Sequence, residues 1–351
     1  MTAIRQKLLG WYDEAARNLP WRHTRDPYAI WVSEVMLQQT RVETVIPYYQ
    51  RFLESFPTPS ALAEADEDAV LSHWSGLGYY RRARLLHAGV REVVAQYGGK
   101  VPEEADARRG LPGIGRYTAG AIGSIAFGEE EPVVDGNVSR VLARLFRIDT
   151  PIGAQVTTKR LWKEAARLVP GERPGAFNQA MMELGATICT PKQPRCESCP
   201  VARECEAYAH REVNTLPVAR KRKAPKALQL SAVVATRGRG ADREVWLVKR
   251  EQPLFGGLWA VPMGEESPRA ALTEAGLQAR VRTEPVGRVE HVLTHRRLWV
   301  DVYRASAVRG EESKTRRRFS NADLDRVGVS TLTKKVLASA GLVTPPARPH
   351  P

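Results

Sequence analysis

Residues 111–122 read LPGIGRYTAGAI, and this stretch decides how the first half of the chain is read. Gly113 and Gly115 flank one apolar residue, and a helix-like pattern begins immediately after them. Glycine permits a tight turn and lets a second backbone come close. The amides that follow point outward at the positive end of a helix, which suits a phosphate oxygen. Alone, such a turn is weak evidence and more often a helix C-cap. Its neighbours add weight: VVDGNVSRVLARL follows from residue 133, and CTPKQPRCESCPVAREC occupies 189–205.

That last segment holds all four cysteines of the chain, Cys189, Cys196, Cys199 and Cys205, spaced C-x6-C-x2-C-x5-C. Cysteines used as small core residues would be scattered. Four thiolates on one loop can converge on a metal centre, and Pro191, Pro194 and Pro200 pre-bend the backbone between them. Sulfur ligands without histidine leave a [4Fe–4S] cluster or a structural zinc. The cluster is favoured because zinc sites usually bring two CxxC knuckles, and only one is present. Two disulfides fit poorly, since nothing else suggests an oxidising compartment.

A chain of 351 residues is long for one core, so two domains are expected. The hydrophobic share of 43% allows each to bury one. A formal net charge of +14 points to a polyanionic partner, a solvated basic surface being the plainer alternative. The N-terminal residues lack a signal-peptide pattern, and no apolar run approaches membrane-spanning length. A cytoplasmic protein with no membrane partner is the expectation.

From residue 1 to about 210 apolar residues recur at helical spacing, as in Val42-Val45-Ile46-Tyr49 and Val138-Val141-Leu142-Leu145, punctuated by Asp26-Pro27 and Pro170-Gly171. PVARKRKAPK (217–226), with five basic residues and no acid, reads as a linker. Beyond it the period becomes two. VWLVKR (245–250), LWAVP (258–262) and RLWVDVYRA (297–305) read as strands, with a helix over RAALTEAGL (269–277). TPPARPHP closes the chain as an expected disordered tail.

Two carboxyls carry candidate chemistry. Glu34 sits among Trp31, Val35, Met36 and Leu37, where lost hydration would raise its pKa and make it a proton donor near neutrality. A solvated carboxylate on an amphipathic helix is the alternative. Asp135 could steady a developing positive charge, or simply cap the helix that follows it.

WVSEVMLQQT (31–40), GLGYYRRAR (76–84), LPGIGRYTAG, VVDGNV, FNQAMMELG (177–185) and the cysteine loop, in this order, resemble the MutY-type adenine DNA glycosylases of the helix–hairpin–helix superfamily that includes endonuclease III. The resemblance implies an all-α helix–hairpin–helix domain over 1–212 with its iron–sulfur loop at 189–205. A basic linker (213–226), a smaller α/β Nudix-like domain (227–341) and a tail (342–351) follow. It implies a monofunctional glycosylase, a monomer associated with the nucleoid, which excises adenine opposite 8-oxoguanine or guanine in duplex DNA. Glu34 would protonate N7 of adenine and Asp135 would stabilise the oxocarbenium-like sugar, with Asn137 as a supporting contact. Tyr117 would line the site where lyase relatives carry a lysine; residues 101–158 contain no lysine.

By the same resemblance Gln38, Gln39, Thr40 and Tyr79 would wedge the duplex open. Arg22, Leu37 and Glu183 would line the extruded base, and Gly113 and Gly115 would grip the backbone. Arg195 and Arg203 would approach phosphate. In the Nudix-like domain Leu293, Thr294 and His295 stand where the family shows Phe-Ser-His, so Thr294 and His295 would sense the lesion without an aromatic before them. Only Glu274 falls in the helix that should carry the magnesium-binding glutamates of a Nudix hydrolase, which argues against pyrophosphohydrolysis. The rival readings are an endonuclease III-type lyase, a catalytically dead DNA-binding scaffold, and a Nudix hydrolase tethered to DNA.

Overall fold

The computed structural model describes residues 2–220, 224–238, 240–251 and 254–344. Lys221, Arg222 and Lys223 of the expected linker, and residues 345–351 of the expected tail, lie outside the described residues. By packing, the chain divides into two units, Met1–Ala63 with Ala88–Arg222 and Glu64–His87 with Lys223–Pro351. No helix among the described residues is long and apolar enough to cross a membrane.

The first unit is helical. Helix Pro27–Leu37 starts where Asp26 accepts the Tyr28 amide at 3.0 Å and Pro27 fills the first turn. Every residue from Tyr28 to Met36 is buried, so this helix sits inside its unit rather than on a surface. It packs on Val42–Ser55 and on Arg116–Ala126, the helix that leaves the glycine turn. In that turn Gly113 has φ +79°, a left-handed conformation that a side chain rarely adopts, while Leu111 and Ile114 are buried on either side. Helix Gly136–Leu145 buries Val138, Val141, Leu142 and Leu145 as the spacing predicts.

Helix Pro174–Thr187 packs on Thr2–Ala15, Arg116–Ala126 and Gly136–Leu145. Gly185 allows the last of these crossings, because a Cβ there would lie 2.6 Å from the Asn137 Cβ. Leu8, Val141, Leu142, Phe177, Met181 and Leu184 meet in the core, and Cys189, Cys199 and Cys205 pack against its edge.

The second unit is built on a mixed sheet of β1 (Lys226–Arg237), β2 (Glu244–Lys249), β3 (Trp259–Ala260), β4 (Met263–Gly264), β5 (Gln278–Val281), β6 (Gly287–Val292), β7 (Arg296–Arg309) and β8 (Arg316–Phe319). The order is β3-β2-β1-β7-β5, with β4 beside β1, β6 beside β7 and β8 beside β2. β1 and β7 run parallel, Leu230 opposite Val300. On one face Leu298, Val300 and Val302 pack with Leu332, Val336 and Leu337 of helix Thr331–Ser339. On the other, Val233, Ala235 and Ala305 pack with Leu272 of helix Pro268–Glu274.

The three expected strands are present, although the strand expected over 258–262 is only Trp259–Ala260. The expected helix over 269–277 ends at Glu274, where Ala275 caps it. Within this unit Asp68 accepts Lys249 Nζ at 2.9 Å and the Trp259 indole N–H at 3.1 Å. Ser75 donates to the Val329 carbonyl at 3.1 Å, so segment 64–87 is tied to the sheet by polar contacts.

Candidate active site

A cavity of about 700 Å³ opens in the first unit. Glu34 and Leu37 reach it from the buried helix, with Gln38, Gln39 and Thr40 from the turn that ends that helix. Gly113, Gly115 and Tyr117 line it from the glycine turn, Asp135 and Asn137 from the start of helix Gly136–Leu145, and Arg22 and Glu183 from the opposite wall. Residues 22 to 183 of the sequence thus converge on one volume large enough for a small organic group.

Glu34 is 4% exposed and is not a solvated surface acid. Burial pushes its carboxyl up to about 7, with Asp135 raising it further and the Tyr117 hydrogen bond opposing. Tyr117 Oη donates to Glu34 Oε2 at 2.5 Å and also contacts Met182 Sδ at 3.4 Å. Burial, then the charges of Glu34 and Asp135, hold the phenol well above its usual range, so it stays a donor.

Asp135 does cap its helix, Oδ1 accepting the Val138 amide at 2.7 Å. Its other oxygen accepts Asn137 Nδ2 at 3.3 Å. Burial raises the Asp135 pKa, while the Val138 and Asn137 amides and Arg140 pull it down. Capping the helix and lining the cavity are therefore compatible roles for this residue.

The far wall is a network of charge. Glu183 takes Arg17 Nε at 2.8 Å, Arg17 Nη2 at 2.9 Å and Arg22 Nη2 at 2.7 Å. Burial pushes Glu183 up, but the hydrogen bonds from Arg17 and Arg22 outweigh it and leave the carboxyl at about 2. Arg22 also donates to the Arg17 carbonyl at 2.7 Å, which fixes its guanidinium at the rim.

Several lining residues carried no role in the sequence reading: Arg17, Trp21, Ser33, Gln179 and Met182. Gln179 stands four residues before Glu183 on one helix, a spacing that puts both on one face and was readable. It accepts the Tyr12 hydroxyl at 3.2 Å. Arg17 lies between helices, where periodicity carries no signal.

Tyr79, Leu293, Thr294 and His295 belong to the second unit. Tyr79, at φ +47°, is 47% exposed, and its hydroxyl lies 2.7 Å from Thr294 Oγ1. Leu293 is half-buried against the core of that unit, so the side chain in the family's aromatic position is turned inward. Arg195 donates to the Thr187 carbonyl at 2.8 Å.

The cysteine loop is fastened from beneath by two arginines. Buried Arg144 sends Nη1 to Cys189 Sγ at 3.2 Å and to the Thr190 carbonyl at 2.8 Å, and Nε to the Leu216 carbonyl at 2.9 Å. Arg140 donates to the carbonyls of Cys189 and Gly185 at 2.7 Å and to Asn137 Oδ1 at 2.8 Å. Burial raises the thiols of Cys196, Cys199 and Cys205, Cys199 to about 12, and the charge of Cys189 raises each further. Among the described residues no three Cys, His, Asp or Glu side chains gather closely enough to hold one metal ion.

The HhH-GPD superfamily model, a base excision DNA repair family, matches residues 32–167, and a NUDIX domain model matches 233–339. The human adenine DNA glycosylase is 37% identical over 96% of this chain and 73% of its own length. A thermostable thymine-DNA glycosylase structure aligns with 60% of this chain and 96% of its own at 31% identity and a TM-score of 0.54. A trapped endonuclease III–DNA covalent intermediate aligns with 59% and 94% at 25% identity and a TM-score of 0.50.

Proposed function

Because this chain belongs to the MutY-type adenine DNA glycosylases, with their helix–hairpin–helix and Nudix-like parts, we propose that it excises adenine opposite 8-oxoguanine or guanine in duplex DNA, leaving an abasic site. One observation carries the catalytic reading: a buried carboxyl that ionises near 7 faces the same cavity as a second carboxyl at a helix N-terminus. Adenine leaves deoxyribose poorly as an anion. Glu34 gives its proton to N7, the C1′–N9 bond breaks with its electron pair passing to the base, and water captures the sugar cation and gives up a proton that returns to the Glu34 carboxylate. Asp135, whose pKa burial raises while the Val138 and Asn137 amides pull it back, serves as the carboxylate that steadies the positive charge as it grows. The Tyr117 hydroxyl orients Glu34, and Asn137 orients Asp135.

Arg22, Leu37 and Glu183 fit the walls of a purine pocket, and Gln38, Gln39 and Thr40 the task of filling the gap left by an extruded base; exposed Tyr79 suits the same task by stacking. Gly113 and Gly115 serve phosphate contact, while Thr294 and His295 serve lesion sensing. The four cysteines suit a [4Fe–4S] cluster better than zinc. Zinc sites usually bring two CxxC knuckles, and this chain has the one formed by Cys196 and Cys199. Cys189, Cys196, Cys199 and Cys205 would hold the cluster, which would brace the loop they share. The domain limits read from the sequence, a monomeric state and a place at the nucleoid complete the proposal.

The test is base release from duplexes with adenine opposite 8-oxoguanine, guanine, cytosine and thymine, read as strand breakage after hot alkali. Alkali-dependent breakage of the first two supports the reading. Breakage without alkali would favour the lyase, and binding without any product the scaffold.

A further inference from the structure

We infer that Val292 is a DNA-contacting residue, presenting apolar surface beside Tyr79 to the duplex at the base opposite adenine; the inference rests on the reading above that Tyr79 and Thr294 face the mispair. The alternation of β6 sets its direction. Val289 is buried and His291 half-buried, lowered to about 4 by burial, so both point into the core, while Glu290 and Val292 point away. The strand then ends in a turn, the Leu293 amide donating to the Arg296 carbonyl at 2.7 Å. Leu293 tucks against the core, and the apolar residue left outside is its neighbour, Val292, at 57% exposure.

Few side chains of this kind are exposed. Among the described residues the large exposed apolar ones are Tyr79, Val156, Tyr208 and Val292. Two of the four flank one hydrogen bond, since Tyr79 Oη lies 2.7 Å from Thr294 Oγ1, two residues beyond Val292. Exposed arginines follow each, Arg81 after Tyr79 and Arg296 and Arg297 after Thr294, Arg297 pairing with Glu290 at 3.3 Å. An apolar wedge among cations matches a strand whose bases are partly unstacked and whose phosphates are anionic. A β-branched side chain is stiff, so it loses little freedom on contact. Valine offers no hydrogen bond, so it strengthens the grip on the mispair without telling 8-oxoguanine from guanine.

The experiment measures equilibrium binding of the full chain to duplexes with a non-hydrolysable adenosine analogue opposite 8-oxoguanine or guanine. Val292→Ser should weaken both about fivefold, leave their ratio unchanged and keep the wild-type melting temperature. Val292→Leu should bind as wild type or tighter. Wild-type affinity in Val292→Ser overturns the inference, and so does an equal loss in Val292→Leu. Base release by wild type on the cleavable duplexes is followed alongside, so a failure of the adenine reading is told apart from a failure at Val292.

Discussion

Replacing Glu34 by glutamine removes a charge and preserves a shape, which makes it the most searching perturbation of the site. A carboxyl that ionises near 7 instead of 4.5 is about 3 kcal/mol harder to charge inside the fold than outside it. The sign follows from linkage. The folded state holds this proton more tightly than the unfolded chain, so the contribution to stability is full below about 4.5 and is lost as pH rises through 7. Glutamine never ionises. Urea unfolding of the helical unit, followed at pH 5, 6, 7 and 8.5, should show Glu34→Gln gaining on wild type by about 3 kcal/mol across that range. Base release should behave in register. The wild-type single-turnover rate should be level in acid and fall about tenfold per pH unit above 7, and the variant should release no adenine while keeping duplex affinity. A stability difference independent of pH, or a rate that rises through 7, would falsify Glu34 as the buried acid.

Tyr117→Phe removes the hydrogen bond that holds the Glu34 pKa down, so the alkaline fall in a pH–rate profile should move to higher pH; an unmoved profile would deny the contact. Glu183→Gln leaves Arg17 and Arg22 without their anion and should cost about 3–5 kcal/mol at pH 7, measured by urea. That gap should close as pH falls from 4.5 toward 2, where the wild-type carboxyl takes up its proton. Gly185→Ala drives a methyl into Asn137 and should cost about 1–3 kcal/mol while slowing base release more than it weakens duplex binding. Anaerobically purified chain should be brown and carry iron with acid-labile sulfide, both lost in Cys199→Ser; colourless protein carrying zinc would overturn the cluster.

The helical half was legible because its signals are local. Asp26-Pro27 and VVDGNV are punctuation that folding obeys within a turn, and both start helices where expected. That Glu34 and Asp135 share one cavity was not readable from spacing, since they stand a hundred residues apart and meet only through packing. The strands were harder. β1 grows out of a basic segment that lacks alternation at its start, and β8 is a run of arginines ending in Phe319, so neither shows an apolar stripe. Leu293 illustrates a register effect: its position in the motif suggests a displayed side chain, but the turn after β6 rotates it inward and puts its neighbour outside. The 2.7 Å contact from Tyr79 to Thr294 spans 215 positions and leaves no local trace.

The left-handed backbone at Tyr79 restricts which residues that position can accept. Gly76, Gly78 and Tyr79 all lie at positive φ, so the loop displays its ring from a conformation that branched side chains resist. Isoleucine or threonine would clash with their own main chain before any question of stacking arose. Asparagine or histidine would sit there comfortably. Variation at residue 79 should therefore drift toward flat, unbranched groups, and a screen of all replacements should find backbone tolerance, more than hydrophobicity, separating folded from unfolded products.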